Sequence, residues 1–188
     1  MCKHFIEGQR LILRSVLESD VTENYIQWLN DSDTNQYLES RFLTHTKESV
    51  KEFVKRIDQQ SDTVFLAIVF KNDNTHIGNI KLGPIHEIHN FADIGILIGE
   101  KKYWGQGYAT EAIKMLTQYA FNTLGLHKLT AGFYSNNMTS GNAFFKNGFI
   151  QEGCLKKHYY YKGAYIDGIK VGLLNKKWPA LEPKEDDK

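Results

Sequence analysis

The chain has 188 residues, of which 41% are hydrophobic and 13% aromatic, and it carries 23 basic and 22 acidic side chains. This length corresponds to about one domain, which buries roughly 70% of its unfolded surface without metal or disulfide staples, and we expect no metal site. A formal net charge of +1 without long runs of one sign argues against a general nucleic-acid binder.

Two cysteines, Cys2 and Cys154, lie far apart and form no CxxC pair, which favours a reducing compartment over secretion. The first ten residues lack the continuous apolar segment of a signal peptide. No run of about 18 apolar residues is present to span a bilayer. The sequence therefore predicts a cytoplasmic protein with no membrane partner.

The first half of the chain predicts one strand, two helices and a meander. Residues 10–16 alternate as in a strand, and residues 20–31 predict a helix with an acidic cap. Residues 46–60 predict a second helix, which begins with a capping box at Thr46. Three short β-branched segments with turn residues between them then predict an antiparallel meander. These segments are residues 63–71, 75–83 and 91–99.

The period then returns to that of a helix. Apolar side chains recur at three- and four-residue spacing, and Gly125 stands where a C-terminal cap would. The apolar positions are Ala109, Ala112, Ile113, Leu116, Ala120 and Leu124. A strand at 127–134 and a short helix at 137–147 follow. Two last strands, at 150–157 and 165–174, surround a turn at Lys162 and Gly163.

The predicted order is β, α, α, β, β, β, α, β, α, β, β, without an internal repeat or a linker. Only the polar residues 182–188 are expected to be disordered. Residues 1–181 are therefore expected to form a single α/β domain.

Two glycines, Gly105 and Gly107, stand directly before the predicted helix that contains Ala112. A dinucleotide fingerprint would need a third small residue where Thr110 stands and an acid about 20 positions later, and a Walker loop would need Gly-Lys-Ser/Thr. Both are missing. A tight turn is one interpretation. The other is a cradle in which the amides from about Gly105 to Thr110 converge on a pyrophosphate-sized anion.

A second motif, NNMTSGNAFFKNGF at residues 136–149, follows the next predicted strand. Together with WGQGYATEA at residues 104–112, it resembles the GNAT superfamily of acetyl-CoA-dependent N-acetyltransferases. The branch it most resembles includes the ribosomal-protein N-terminal acetyltransferases. The superfamily's loop, Arg/Gln-x-x-Gly-x-Gly/Ala, corresponds to Trp104-x-x-Gly107-x-Ala109, so its first position departs from the general pattern.

The branch signature Asn-x-x-Ser … Lys-x-Gly-Phe matches Asn137, Ser140, Lys146, Gly148 and Phe149 at the same spacing. The resemblance runs from about residue 10 to residue 178. It implies a GNAT fold, with a central mixed, mostly antiparallel twisted sheet of about seven strands and helices on both faces. It also implies acetyl-CoA in a V-shaped opening beside the glycine loop.

The resemblance implies a set of cofactor contacts in three segments. They are Ile96, Leu97 and Ile98; Trp104, Gly105, Gln106, Gly107, Tyr108, Ala109 and Thr110; and Asn137, Ser140 and Lys146. The first segment is also an ordinary core strand, and Lys146 is equally a solvated lysine at a helix end.

Acetyl transfer needs a neutral amine, a donor to the developing oxyanion and a proton for the departing thiolate. The resemblance makes Ser140 the candidate acid, although Asn137 and Ser140 also suit helix-capping positions. Many superfamily members use a Tyr where this chain has Phe144, which leaves Ser140 or an ordered water as the acid. Asp93 is the candidate base, acting directly or through a water, with His86 and His89 as alternatives.

Substrate contacts are expected from Glu39, Arg41, His86 and Tyr160. Aromatic faces and a charged pair suit a sugar nucleotide, because bases and sugars stack on the rings and the arginine grips the phosphate. Ordinary packing of aromatic hairpins is the alternative. Deprotonating a lysine-like amine with a pKa of about 10.4 costs roughly 4–5 kcal/mol at pH 7, against about 1 for an α-amine. A weakly defined base therefore favours an α-amine or a sugar amine.

Three functions remain open on the sequence. The first is an N-acetyltransferase for a primary amine on a small molecule such as a nucleotide-linked amino sugar. The second acetylates a protein N-terminus. The third is a non-catalytic acyl-CoA-binding module. A homodimer is compatible with each of them.

Overall fold

A mixed sheet of eight strands forms the centre of the structure, a computed structural model that describes residues 5–177. The strands are β1 (Phe5–Glu7), β2 (Leu11–Ser15), β3 (Val64–Phe70), β4 (Thr75–His86), β5 (Phe91–Ile98), β6 (Lys128–Tyr134), β7 (Ile150–Tyr161) and β8 (Ala164–Leu174). The helices are α1 (Glu23–Asn30), α2 (Lys47–Asp58), α3 (Tyr108–Asn122) and α4 (Met138–Phe145). Cys2, residue 178 and the tail at 182–188 lie outside the described residues.

The strands are arranged in the order β1-β2-β3-β4-β5-β6-β8-β7. Every neighbouring pair is antiparallel except β5 and β6, which are parallel. The expected mixed, mostly antiparallel sheet is confirmed, with eight strands rather than seven. The additional strand, β1, has only three residues, which is too short to give an alternating pattern, and pairing with β2 defines it.

The prediction of an acidic cap on α1 is wrong. Thr22 caps the helix, and its hydroxyl accepts from the Tyr25 N–H. Asp20 is instead buried, where it accepts two hydrogen bonds from the Arg14 guanidinium and one from the Leu17 N–H. Burial disfavours the carboxylate, but these donors outweigh it and hold the pKa of Asp20 below its usual value. The pair therefore stabilises the fold above the usual carboxyl pKa, and this contribution is lost as the pH falls through the lowered value.

Other helix ends follow the sequence signals closely. The capping box at Thr46 is confirmed, since its hydroxyl accepts from the Ser49 N–H and the Ser49 hydroxyl accepts from Thr46. Leu124 was expected on the buried face of α3 but lies beyond its end and is 37% exposed. Gly125, with φ of +65°, turns the chain there.

Helices cover both faces of the sheet. On one face, α3 and α4 pack on the larger apolar core, which contains Leu66 and Ile68 of β3. On the other face, α1 and α2 pack on a second core that contains Ala67 and Val69 of the same strand. Alternate residues of a strand point to opposite faces, so one strand serves both cores.

The site is positioned by the short pairing between β5 and β6. Only three residue pairs join these strands, and the last is Asp93 with Thr130. Beyond it, β5 runs on to Ile98 paired with β4 alone, and β6 runs on to Tyr134 paired with β8 alone. A wedge therefore opens between the two strands, and α3 and α4 follow the strands that form its two sides.

Candidate active site

Backbone groups of β5 line one side of the wedge. The Gly99 N–H donates to the Ile77 oxygen at 2.9 Å, so Gly99 faces β4. Because backbone groups of a strand alternate in direction, those of Ile96 and Ile98 point away from β4 and into the wedge. Leu97, which pairs with Asn79, faces β4. Of the three predicted cofactor contacts on β5, two therefore present their backbone to the wedge and one does not.

The glycine loop presents consecutive unpaired N–H groups. Gly105 and Gly107 have φ of +73° and +81°, and Gly107 is the N-cap of α3. Within the described chain, the N–H groups from Gly105 to Thr110 donate to no protein acceptor, and the first that does is Glu111, to the Gly107 oxygen. Six amides at the positive end of a 15-residue helix form a cradle suited to an anion.

Trp104 and Gln106 support this loop with their side chains. The Trp104 indole N–H donates to the Ile98 oxygen at 2.7 Å, and the Gln106 amide donates to the Lys102 oxygen at 2.6 Å. The indole therefore occupies the Ile98 carbonyl, which is the last carbonyl of β5 that points into the wedge. The Ile96 carbonyl and the N–H groups of Ile96 and Ile98 are left to pair with a ligand.

Helix α4 begins at the other side of the wedge. Asn137 is its N-cap and accepts from the Ser140 N–H at 3.3 Å, so Asn137 has the capping role. The Ser140 hydroxyl is half-buried, and it has no hydrogen-bond partner among the residues that the structure describes. Phe144, at the superfamily's Tyr position, is a buried core residue. Lys146 is exposed at the C-terminal end of the helix.

Asp93 lies where the wedge closes. Its carboxylate accepts a hydrogen bond from the Thr130 hydroxyl on the neighbouring strand. By strand alternation, Asp93 and Gly95 share a face of the sheet with Thr130, Gly132 and Tyr134. A Cβ added to Gly95 would meet no atom within 4 Å, so this face is open beside Asp93.

Tyr134 is the centre of a polar cluster on the same face. Its hydroxyl donates to the Glu39 carboxylate at 2.6 Å and accepts from the Arg41 guanidinium at 2.8 Å. Burial and the Glu39 carboxylate raise the pKa of Tyr134, so its phenol keeps its proton and holds Glu39 in place. Three further rings surround it, namely Tyr37, Tyr159 and Tyr161.

A bulge in β7 brings Tyr159 onto Tyr134. Pairing with β8 breaks between Leu155 and Tyr159, and Asp167 accepts from the backbone and ammonium donors of the bulge. These donors lower the pKa of Asp167 to about 2. The Tyr159 ring then stacks on Tyr134 with a centroid distance of 4.1 Å. Gly168 makes room for it, because a Cβ there would lie 2.7 Å from the Tyr159 ring.

The predicted substrate residues are only partly brought together. Glu39 and Arg41 meet at Tyr134, and Arg41 also donates to the backbone oxygens of Leu38 and Tyr160. Arg41 therefore holds protein groups together, and the expectation that it would grip a phosphate is not supported. Tyr160 contributes its backbone, while its ring is 51% exposed.

His86 does not join that group. Its ring stacks on Phe91 at 4.2 Å, and Phe91 pairs with Lys128. Lys128 lies six residues before Tyr134 on β6, or roughly 20 Å along the strand. His86 ends β4, and the turn after it leads to the start of β5. The wedge opens at the other end of β5, so His86 lies at the closed end of the β5–β6 pairing.

Sequence reasoning missed three residues at the site. Thr130 pairs with Asp93, Tyr134 organises Glu39 and Arg41, and Arg10 contacts the glycine loop. The position of Tyr134 at a strand end, three residues before Asn137, was the available signal. In the described part of the chain, no three His, Cys, Asp or Glu side chains are grouped to hold a metal ion. No helix of residues 5–177 combines the length and apolar character needed to cross a membrane.

The chain is similar to known acetyltransferases over most of its length. Residues 10–150 match the acetyltransferase (GNAT) domain family. YoaA, an uncharacterized N-acetyltransferase of Bacillus subtilis, is 28% identical over 163 residues, which cover 86% of this chain and 92% of that protein. The spermidine N(1)-acetyltransferase of Vibrio cholerae is 25% identical over 175 residues, covering 91% and 96%.

Solved structures share the fold. A GNAT-family acetyltransferase from Bacillus anthracis has a TM-score of 0.79 at 25% identity, covering 92% of this chain and 99% of that one. The spermidine N-acetyltransferase of Vibrio cholerae, in complex with CoA and spermine, gives 0.82 at 22% identity, covering 91% and 99%. RimL, a ribosomal L7/L12 alpha-N-protein acetyltransferase in complex with coenzyme A, gives 0.79 at 23% identity, covering 91% and 98%.

The cradle makes a prediction about Gly107→Val. Acetyl-CoA at about 100 times its dissociation constant should stabilise the wild type by roughly 2.7 kcal/mol, and the variant should lose this thermal shift. A valine would fill the cradle and disfavour the φ of +81°. Gly163→Val is the matched control, because Gly163 has φ of +88° at the distant hairpin turn. It should keep the shift. A normal shift in folded Gly107→Val would contradict the cradle.

Proposed function

The chain belongs to the GNAT acetyltransferase family, and we propose that it transfers acetyl from acetyl-CoA to a primary amine of a small molecule that carries a second positive charge. The transfer reaction follows from the family. The acceptor is inferred from one observation, the Glu39 carboxylate that Tyr134 holds among tyrosine rings on the open face of the sheet.

The residues of the wedge match the parts of acetyl-CoA. The cradle from Gly105 to Thr110 suits the pyrophosphate, and the free backbone groups of Ile96 and Ile98 suit the amides of the pantetheine arm. An N–H of this strand would then lie beside the thioester oxygen and stabilise negative charge as it develops there. Helix α3 would contribute the free amides of its first turn to this ligand, and helix α4 would contribute the Ser140 hydroxyl.

Two protons must move during the transfer. The amine nitrogen attacks the thioester carbon and loses a proton, the carbon–sulfur bond breaks, and the thiolate takes up a proton. Ser140 is our candidate for the second proton transfer, since its half-buried hydroxyl is uncommitted within the described residues while Asn137 does the capping. Asp93 is our candidate to accept the first, directly or through a water, from the open face beside Gly95.

The acceptor side favours a cation over a phosphate. Arg41 is engaged with three protein oxygens, so no arginine of this cluster is left for a sugar nucleotide. Glu39 is exposed, and its second carboxylate oxygen has no partner among the described residues. A carboxylate beside aromatic faces attracts ammonium groups. We therefore replace the nucleotide-linked amino sugar, expected from the sequence, by a diamine or polyamine.

The cost of deprotonation is compatible with this choice. A second ammonium group in the same molecule lowers the pKa of the reacting amine, because two like charges repel. This reduces the roughly 4–5 kcal/mol needed for an isolated lysine-like amine. The related spermidine N(1)-acetyltransferase acts, by its name, on such a molecule. Acetylation of a protein N-terminus remains a second candidate, because an α-amine costs only about 1 kcal/mol to deprotonate.

The acceptor proposal is tested with three panels of amines, namely polyamines, α-amine peptides and amino sugars. Thiol release from acetyl-CoA should be fastest with polyamines. Glu39→Gln should raise the polyamine KM about ten-fold with little change in kcat, because it removes a charge contact to the distal ammonium. Glu52→Gln, which removes an exposed carboxylate from α2, is the matched control and should have no effect.

A preference for peptides or amino sugars would contradict the polyamine proposal and leave the transfer reaction intact. Release with none of the three panels would favour the binding module.

The assignment of acid and base predicts two separable effects. Ser140→Ala should lower kcat by about 10²–10⁴-fold with acetyl-CoA affinity nearly unchanged. Thr139→Ala, an exposed neighbour in the same turn, should retain activity. The rate should reach a plateau at high pH, and Asp93→Asn should lower the rate most at pH values below that plateau, where a group that accepts the amine proton is needed.

Two results would overturn these roles. Loss of cofactor binding and thermal stability together in Ser140→Ala would make the residue structural. An unmoved pH–rate profile in Asp93→Asn would remove Asp93 from the role of base, and His86 and His89, which stack on Phe91 at the closed end of the sheet, would not replace it.

A further inference from the structure

Arg10 reaches the glycine loop from the turn between β1 and β2, at one edge of the sheet. It stands at the end of the turn between β1 and β2, directly before Leu11. This turn lies on α3 so closely that a Cβ on Gly8 would be 2.5 Å from the Met115 sulfur. A glycine at that position therefore lets the turn approach the helix, and the approach brings Arg10 to the first turn of α3.

Four contacts join Arg10 to the loop and the helix. Its backbone N–H and its Nε each donate to one oxygen of the Glu111 carboxylate, both at 2.7 Å. Its Nη1 donates to the Gln106 oxygen at 3.0 Å. Its guanidinium lies over the Tyr108 ring, 4.3 Å from the centroid. One side chain thus contacts the loop and both neighbours of the N-cap Gly107.

Glu111 creates an electrostatic problem that Arg10 can solve. Its carboxylate is only 14% exposed and lies in the first turn of α3, beside the six free amides. A carboxylate there is favourable to the helix dipole, but it repels a second anion bound to the same helix end. The Arg10 guanidinium compensates this charge at close range. Its Nη2 lies 3.7 Å from the position a Gly107 Cβ would take and has no protein acceptor within the described chain.

We propose that Arg10 is a positioning residue for the nucleotide half of acetyl-CoA. It neutralises Glu111 and fixes the loop between Gln106 and Tyr108, so that the cradle is both shaped and positive before the ligand arrives. This inference rests on the proposed use of the cradle for acetyl-CoA. It is independent of the acceptor and of the residues assigned to proton transfer.

The test compares Arg10→Gln, Glu111→Gln and the double variant, with dissociation constants measured by calorimetry. Arg10→Gln should weaken acetyl-CoA binding about ten-fold, because Glu111 then faces the pyrophosphate without compensation. Glu111→Gln should bind within about two-fold of the wild type or more tightly. The double variant should recover most of the loss, since the repelling charge is gone.

Controls separate charge from a general effect on folding. S-acetyl-pantetheine has the thioester arm without the nucleotide, so its affinity should be the same for the wild type and for Arg10→Gln. Arg56→Gln removes an arginine from α2, on the other face of the sheet, and should leave acetyl-CoA affinity unchanged. If Arg10→Gln does not fold, Arg10→Met, which keeps an apolar stem and removes the charge, takes its place with the same order of affinities expected.

Equal losses of acetyl-CoA affinity in both single variants, with no recovery in the double variant, would mean that the pair only stabilises the fold, and would overturn the proposal. So would a parallel loss for S-acetyl-pantetheine, or unchanged acetyl-CoA affinity in Arg10→Gln. Dissociation constants need no acceptor amine, so these outcomes differ from a failure of the acceptor proposal. Failure of acetyl-CoA to bind the wild type would instead refute the use of the cradle itself.

Discussion

The interruption of pairing between β5 and β6 after Asp93 and Thr130 determines the geometry of the whole site. These two parallel strands part after three residue pairs, and each keeps its other neighbour, β4 or β8. Backbone groups that a continuous sheet would satisfy internally are left to bind a ligand. Because α3 follows one strand and α4 the other, the same separation brings both helix N-termini to the opening.

The two faces of the sheet then acquire different chemistry. On the face covered by α3, the first turn of that helix provides free amides, and Arg10 balances the only carboxylate described in that turn. On the opposite face, Tyr134 holds Glu39 beside a group of aromatic rings. One region is suited to an anion and the other to a cation, and Asp93 lies where the wedge closes, on the face of the sheet that carries Tyr134. The proposed transfer from an anionic donor to a cationic acceptor would use this separation of charge.

Local signals in the sequence were sufficient for most elements and for the conformation of the glycine loop. The capping box at Thr46 and the turns at Gly105 and Gly107 depend on interactions between residues a few positions apart, so the sequence pattern alone predicts their local structure. The acceptor face could not be predicted in this way. The position of Tyr159 depends on a bulge held by Asp167, and the pairing of Arg41 with Tyr134 joins residues 93 apart in the chain. Asp20 was wrongly predicted to be a cap, because its carboxylate accepts from Arg14 on the preceding strand β2 and from the Leu17 N–H, while Thr22 begins the helix.

Amide exchange along β5 tests most directly whether the wedge holds the cofactor. Residue-specific exchange rates, measured by NMR with and without acetyl-CoA, would compare Ile96 and Ile98 with Leu97. If the pantetheine arm lies along β5, the Ile96 and Ile98 N–H groups should become protected beyond any general stabilisation, while Leu97, already paired with β4, should report only that general effect. Equal changes at all three residues, or none at Ile96 and Ile98, would contradict the account.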